Sequence, residues 1–269
     1  VRQANLIAKW MLFGFIHGVM NTDNMQIAGE TIDYGPCAFL DTYKPDMVFS
    51  SIDHMGRYAY ENQPKIALWN LASLASSLIP IIDTDEDKAV KELEKALNAF
   101  NQQYEKAWAS SLRLKLGLVE EQSGDVALAY ELLKLMAVNE ADFTLTFRRL
   151  SDLAGAVGSE NSAADALLGA QFEDVGSLND WLVKWRSRLL TEKSDDRTRQ
   201  AAMRAVNPAY IPRNHRIEQV ISAALAGDYR PFEILTNILS TPFDDQLQNA
   251  VYQLPPLPEE EVRETFCGT

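Results

Sequence analysis

Apolar residues along the chain recur mostly at intervals of three and four, the spacing that places them on one side of a helix. At the start, Leu6, Ile7, Trp10, Met11 and Phe13, with Ala4 and Ala8 between them, predict a helix from residue 1 to about residue 18 that runs into a loop. Residues 19–36 break the period. Two short β-type runs, 26–28 and 30–33, are punctuated by Gly29 and Gly35 and predict a small hairpin. Residues 37–64, rich in Pro, Asp, Ser and Tyr, read as loop. Beyond Pro64 the helical period returns almost without interruption. The run 66–78 is apolar nearly all round, so Trp69, Leu71, Leu74 and Leu78 are expected in a buried core helix. Residues 86–116 carry Leu93, Leu97, Phe100, Tyr104 and Trp108 on one face. Further helices are predicted near 125–138, 142–156, 161–170, 177–191, 197–205, 214–226 and 231–239, with Asn207-Pro208 and Ile211-Pro212 breaking the pattern between two of them. The stretch "QLPPLP" at 253–258 is too rich in proline for helix and predicts extended chain. The expected fold class is mainly α with a small β insertion near the start.

Composition narrows the class. With 269 residues, 46% of them apolar, the chain can build one large domain or two small ones. Lys and Arg number 25 against 38 Asp and Glu, and the net charge of -13 argues against nucleic acid or an anionic membrane surface as partner. It leaves room for a local nucleotide pocket. The longest uncharged run, 66–82, is interrupted by Asn70 and three serines and is short for a membrane span. Cys37 and Cys267 form neither a close-spaced metal pair nor a secreted disulfide framework, so an intracellular setting is expected. The opening "VRQANLIAKW" lacks an initiating Met and starts in helical register, which reads as a fragment of a longer protein. The acidic run 83–87 precedes a helix and is read as its cap and first turn.

Chemistry concentrates in "HGVMNTDNMQIAGETIDYGP", residues 17–36. A cation that bridges nucleotide phosphates is hard and takes oxygen ligands, one or two of them from carboxylate or amide side chains. Asn24 and Asp33 offer two such oxygens, and closure of a hairpin over 25–33 would return position 33 beside position 24. Asp33-Tyr34-Gly35 resembles the kinase Asp-Phe-Gly, with a carboxylate for the metal, an aromatic packed inward and a glycine free to turn. In the kinase catalytic loop the base lies five residues before the Asn. Here that position is Val19, which accepts no proton. Either the loop is a nucleotide-binding relic or another acid serves, and Asp23 is the acid available. His17 is expected buried, bonding backbone.

"HGVMNTDNM", "TIDYGP", "GRYAYENQPKIALWNLASLA" and "NPAYIPRNHRIEQVISAALAGD" together resemble the selenoprotein O family, also called YdiU or UPF0061, over residues 1 to about 245. The resemblance implies a protein-kinase-like fold without the kinase base, an inverted ATP, and transfer of AMP to Ser, Thr or Tyr hydroxyls of proteins. UMP transfer from UTP is proposed for some bacterial members. It implies Asp23 as general base and Asn24 and Asp33 as ligands of Mg2+ (or Mn2+), with Asp33 also near the ATP phosphates. The family's glycine-rich region, its Lys–Glu pair and its phosphate-contacting Arg precede this segment. On that reading residues 1–82 are a kinase-like C-lobe core with catalytic loop and DFG-like segment, and 83–269 a helical extension with a redox tail at 253–269. The N-terminal nucleotide-binding lobe is absent, and the fragment is expected to be inactive alone.

In the family the antepenultimate position carries selenocysteine in some animal members and often cysteine elsewhere, commonly followed by Ser-Ser. Here Cys267 is followed by Gly268-Thr269. The expectation is a reducible disulfide between Cys267 and Cys37, in a bacterial cytoplasm or a mitochondrion. Two rivals stay open: a phosphotransferase with a shifted base, and a pseudokinase scaffold that binds nucleotide without catalysis.

Overall fold

Glycine sets the first boundary. Helix α1, Arg2–Phe13, buries Ile7, Trp10 and Met11, and Gly14 then turns left-handed, φ 70°, with its N–H on the carbonyls of Met11 and Trp10. A residue without Cβ adopts that conformation at no steric cost, so the helix stops there and not near residue 18. The computed structural model describes residues 1–155 and 163–266. It divides into two units: Val1–Ala38, Pro45–Ser111 and Arg263–Thr269 in the first, Phe39–Lys44 and Leu112–Val262 in the second.

In the first unit, strand β1, Phe15–Ile16, pairs with β2, Ala38–Phe39, whose second residue already belongs to the other unit. No strand lies within 26–33 among the described residues, so the predicted hairpin gives way to turns, including a 3-10 turn at Thr22–Asn24. The physical reason is competition from α1. Gln3 Nε2 donates to the Gln26 carbonyl at 2.5 Å and Trp10 Nε1 to the Thr31 hydroxyl at 2.9 Å, so the loop is tied to the helix, while its own bond from the Gly29 N–H to the Gln26 carbonyl at 3.1 Å closes a turn.

Helix α2, Gln63–Ile82, packs on α1, and its buried residues are Gln63, Ile66, Ala67 and Asn70. Trp69 is 50% exposed and Leu74 38%, while Leu71 and Leu78 are half-buried, which corrects the expectation of a core helix. An all-round apolar helix needs neighbours on every side, and within this unit α2 has them on one. Tyr60–Ile82 is long and apolar enough to cross a membrane by length and composition.

Helix α3, Glu86–Lys115, spans both units. The acidic run before it does serve as a cap: Asp85 accepts from the Lys88 N–H at 3.3 Å and Asp83 from the Asp85 N–H at 2.9 Å.

The second unit is built mainly of helices: α4 Asp125–Val138, α5 Phe143–Leu153, α6 Ala163–Gly169, α7 Val175–Leu189, α8 Asp196–Arg204, α9 Asn214–Leu225 and α10 Arg230–Ser240. Each coincides with a predicted helix to within about three residues at its described ends; the predicted positions 156 and 161–162 lie outside the described residues. Trp181 and Trp185 stack on α7 and donate to the carbonyls of Leu128 and Leu116, both at 2.9 Å. Asp142 caps α5 by accepting from the Leu145 N–H, and its other oxygen meets the buried Arg213 guanidinium, which also bonds Asp41. Between 3-10 turns at Leu247–Gln253 and Pro258–Glu260 the proline-rich stretch is extended at Leu254 and Leu257.

Candidate functional site

The loop after β1 is organised by one histidine. His17 is fully buried, packed against the rings of Trp10 and Phe15, and both ring nitrogens and its backbone N–H are engaged. Nε2 meets the Ile32 carbonyl at 2.8 Å, so it carries the ring proton, and Nδ1 is left to accept the Val19 N–H at 3.4 Å. Burial pushes the imidazole below its ordinary value, outweighing the upward pulls of the Ile32 carbonyl and the Asp33 charge. A neutral ring is what this bonding pattern requires. The backbone N–H of His17 is in turn accepted by Gln63 Oε1 at 3.0 Å.

Val19 occupies the position five before Asn24. Its side chain is buried, and its carbonyl accepts Asn24 Nδ2 at 3.0 Å. That bond uses the half of the amide that cannot bind metal and leaves Oδ1, the half that can. Three hydrogen bonds thus run in sequence from Asn24 through Val19 and His17 to Ile32, the residue before Asp33. Asp33 itself is exposed and left-handed, φ 54°, a strained conformation for a residue with a side chain. The turn expected of Gly35 is made by Asp33. Tyr34 is 59% exposed, with an edge-on contact to Phe15 at 6.5 Å, so it does not pack inward as the sequence suggested.

Asp23 lies exposed on the 3-10 turn beside Asn24, and among the described residues its side chain caps nothing. No cluster of three or more His, Cys, Asp or Glu among the described residues could hold a metal. A cation on Asn24 and Asp33 would complete its shell with phosphate oxygens and water, and an amide oxygen with a carboxylate is a donor set that suits Mg2+ or Mn2+.

Gly18 brings the loop against Pro36. It is left-handed, φ 85°, and a Cβ there would lie 2.8 Å from the Pro36 carbonyl oxygen. The neighbouring Cys37 is half-buried, and burial pushes its thiol up to about 11 against a weaker pull from its own backbone N–H. Cys267 lies outside the described residues, but Thr265 donates its hydroxyl to the Pro36 carbonyl at 2.5 Å.

Sequence reasoning missed the groups that hold this loop from α2 and the segment before it. Asn70 Nδ2 donates to the Met20 carbonyl at 2.9 Å, Gln63 Nε2 to the Phe15 carbonyl at 2.8 Å, and the Tyr58 hydroxyl to Asn21 Oδ1 at 2.6 Å. The available signal was Asn70, an amide inside an otherwise apolar helical run.

Fold and site define a mainly helical chain whose buried histidine fixes a loop bearing an amide and an exposed carboxylate. A family model described as protein adenylyltransferase SelO matches residues 1–240. Curated relatives named "Protein nucleotidyltransferase YdiU" align with all of this chain. The protein from Bradyrhizobium sp. (strain BTAi1) is 56% identical over 269 residues, and that from Bradyrhizobium diazoefficiens 54%, each with 54% of the relative covered. The protein from Rhizobium etli (strain CFN 42) is 52% identical, with 53% covered. The chain belongs to the SelO family, and it spans about half the length of the curated relatives it matches.

Proposed function

We propose that, at the length of its relatives, this protein transfers AMP from ATP to Ser, Thr or Tyr hydroxyls of other proteins, with residues 17–36 forming half of the catalytic centre. The observation that supports this reading is the bonded path from Asn24 to Ile32, which orients the amide and precedes the strained carboxylate. Asn24 Oδ1 and the Asp33 carboxylate would hold Mg2+, with Mn2+ the alternative. When bound, the cation neutralises charge on the phosphates.

Asp23, exposed and uncommitted on its turn, accepts the proton of the attacking hydroxyl. The hydroxyl oxygen bonds to the α-phosphorus, the bond to the β-phosphate oxygen breaks, and pyrophosphate leaves with that electron pair. Residues 1–82 act as a kinase-like C-lobe core and 83–269 as its helical extension. The nucleotide-binding lobe belongs to the other half of the relatives' length, so the 269 residues alone bind ATP weakly and transfer nothing. Cys37 and Cys267 form a reducible disulfide that restrains the segment after Asp33. The bond from Thr265 to Pro36 supports that approach, and closing the disulfide requires a mild oxidant that takes up the two electrons and two protons the thiols give up.

The test is labelling with α- and γ-labelled ATP at the relatives' full length, repeated with UTP. Label from the α position on protein, lost in Asp33→Ala, is the expected result. Label from γ alone would make the protein a phosphotransferase, and preference for UTP would make it a uridylyltransferase. Val19 in the base position favours one other reading, a nucleotide-binding scaffold. Metal-dependent nucleotide binding without label on any protein would establish it.

A further inference from the structure

The chain's own segment at 263–266 is seated on the main chain of residues 49–51. The Thr265 N–H donates to the Phe49 carbonyl at 2.7 Å, the Ser51 N–H to the Thr265 carbonyl at 3.0 Å, and Ser50 pairs with Thr265 as a parallel bridge. Phe49 and Ser50 are buried, so the edge is backed by the body of the unit. Thr265 Oγ also donates to the Pro36 carbonyl, while Phe266 is 69% exposed.

We propose that this edge is the docking strand for the acceptor polypeptide, and that segment 263–266 occupies it as an internal competitor. Strand addition of this kind takes affinity from main-chain hydrogen bonds and specificity from the few side chains that reach a fixed partner. Here that partner is the Pro36 carbonyl, an acceptor that selects a hydroxyl donor, so the occupant is an extended segment with Ser or Thr in the Thr265 register. The same carbonyl lies against Gly18, which places the docked segment beside the loop carrying Asp23 and Asn24. The edge is independent of any disulfide, because the bonds involve neither cysteine. The inference rests on the proposed transfer to protein hydroxyls.

The experiment uses protein of the relatives' full length under reducing conditions, with a fluorescein-labelled peptide of residues 261–266 as probe. Thr265→Pro removes the segment's N–H and hydroxyl and leaves the edge intact. It should bind the peptide at least fivefold more tightly than the parent, and an acceptor protein should displace the peptide while ATP does not. The KM for acceptor should fall about fivefold with kcat unchanged. Thr265→Val, which loses only the hydroxyl, should lie between the two. Equal peptide binding by parent and Thr265→Pro, displacement by ATP alone, or a fall in kcat would overturn the proposal. Peptide exchange and acceptor competition without any nucleotide transfer would leave the docking edge standing and refute the transfer reading instead.

Discussion

Lys115 offers a sharp test of the packing in the second unit. Its side chain is buried, its ammonium donates to Asn207 Oδ1 at 3.1 Å, and it lies 4.2 Å from the Phe147 ring and 5.2 Å from the Phe143 ring. Burial lowers its value from 10.5 to about 7. Those 3.5 units correspond to about 5 kcal/mol at 1.36 kcal/mol per unit. The ring faces favour the ammonium by roughly 0.5–2 kcal/mol, less than burial takes away. In the unfolded chain the lysine keeps its proton to about 10.5, so between about 7 and 10.5 the unfolded state binds more protons and stability rises with pH. Below about 7 the penalty is present in full.

Lys115→Met removes that penalty and leaves Asn207 Oδ1 without its donor, a cost of about 1–3 kcal/mol that does not vary with pH. The diagnostic is therefore the slope. The stability of Lys115→Met relative to the parent should fall by about 1.4 kcal/mol per pH unit between pH 7 and 9.5, read from urea denaturation at each pH. Cys37, at about 11 when folded, contributes equally to both proteins and cancels in the difference. A difference that stays flat within about 0.5 kcal/mol across the range would show that Lys115 remains protonated when folded, and the burial argument would fail.

Three further outcomes follow from the loop. His17→Phe strands the half-buried Ile32 carbonyl and the buried Val19 N–H and should cost about 1–3 kcal/mol, with hydrogen exchange accelerating at residues 32–34; unchanged exchange there would separate His17 from the position of Asp33. Gly18→Ala meets the Pro36 carbonyl as well as an unfavourable φ, whereas Gly124→Ala has nothing within 4 Å, so thermal unfolding should show the larger loss at Gly18, by about 1–3 kcal/mol. Cys37 should react with iodoacetamide at pH 7.5 roughly a hundredfold more slowly than a thiol of ordinary value, with a rate still rising above pH 9; rapid alkylation at neutral pH would contradict its burial.

The helices were legible because their apolar positions keep one period for many residues, and Asp142, Asp174 and Asp195 at the starts of α5, α7 and α8 supply side-chain caps that a local reading can find. The loop at 17–36 was legible in its chemistry and not in its shape. Alternation at 26–33 suggested strands, yet Gln3 and Trp10, more than twenty residues away, take up the loop's polar groups. A local pattern cannot show a competitor on another element. Trp69 and Leu74 failed for a related reason: periodicity reports how apolar a helix is, while burial depends on what surrounds it. Asp33 shows a third limit, since the glycine two residues on looked like the obvious site for a left-handed turn.

The valine at position 19 then makes physical sense without a base. Both of its backbone groups are used, the N–H on His17 and the carbonyl for Asn24, so its contribution to the site passes through the main chain. Its side chain is 8% exposed, beside a histidine kept neutral. An aspartate placed there would enter a buried site with no cation among its described contacts, and desolvation would hold it protonated at neutral pH. Val19→Asp should therefore destabilise the loop and confer no γ-phosphoryl transfer. The bonds that carry orientation from residue 24 to residue 32 join neutral groups, which lets the loop keep its shape before any ion or phosphate arrives. The carboxylates of Asp23 and Asp33 are held out of that network and exposed, as the proposed roles of base and cation ligand require.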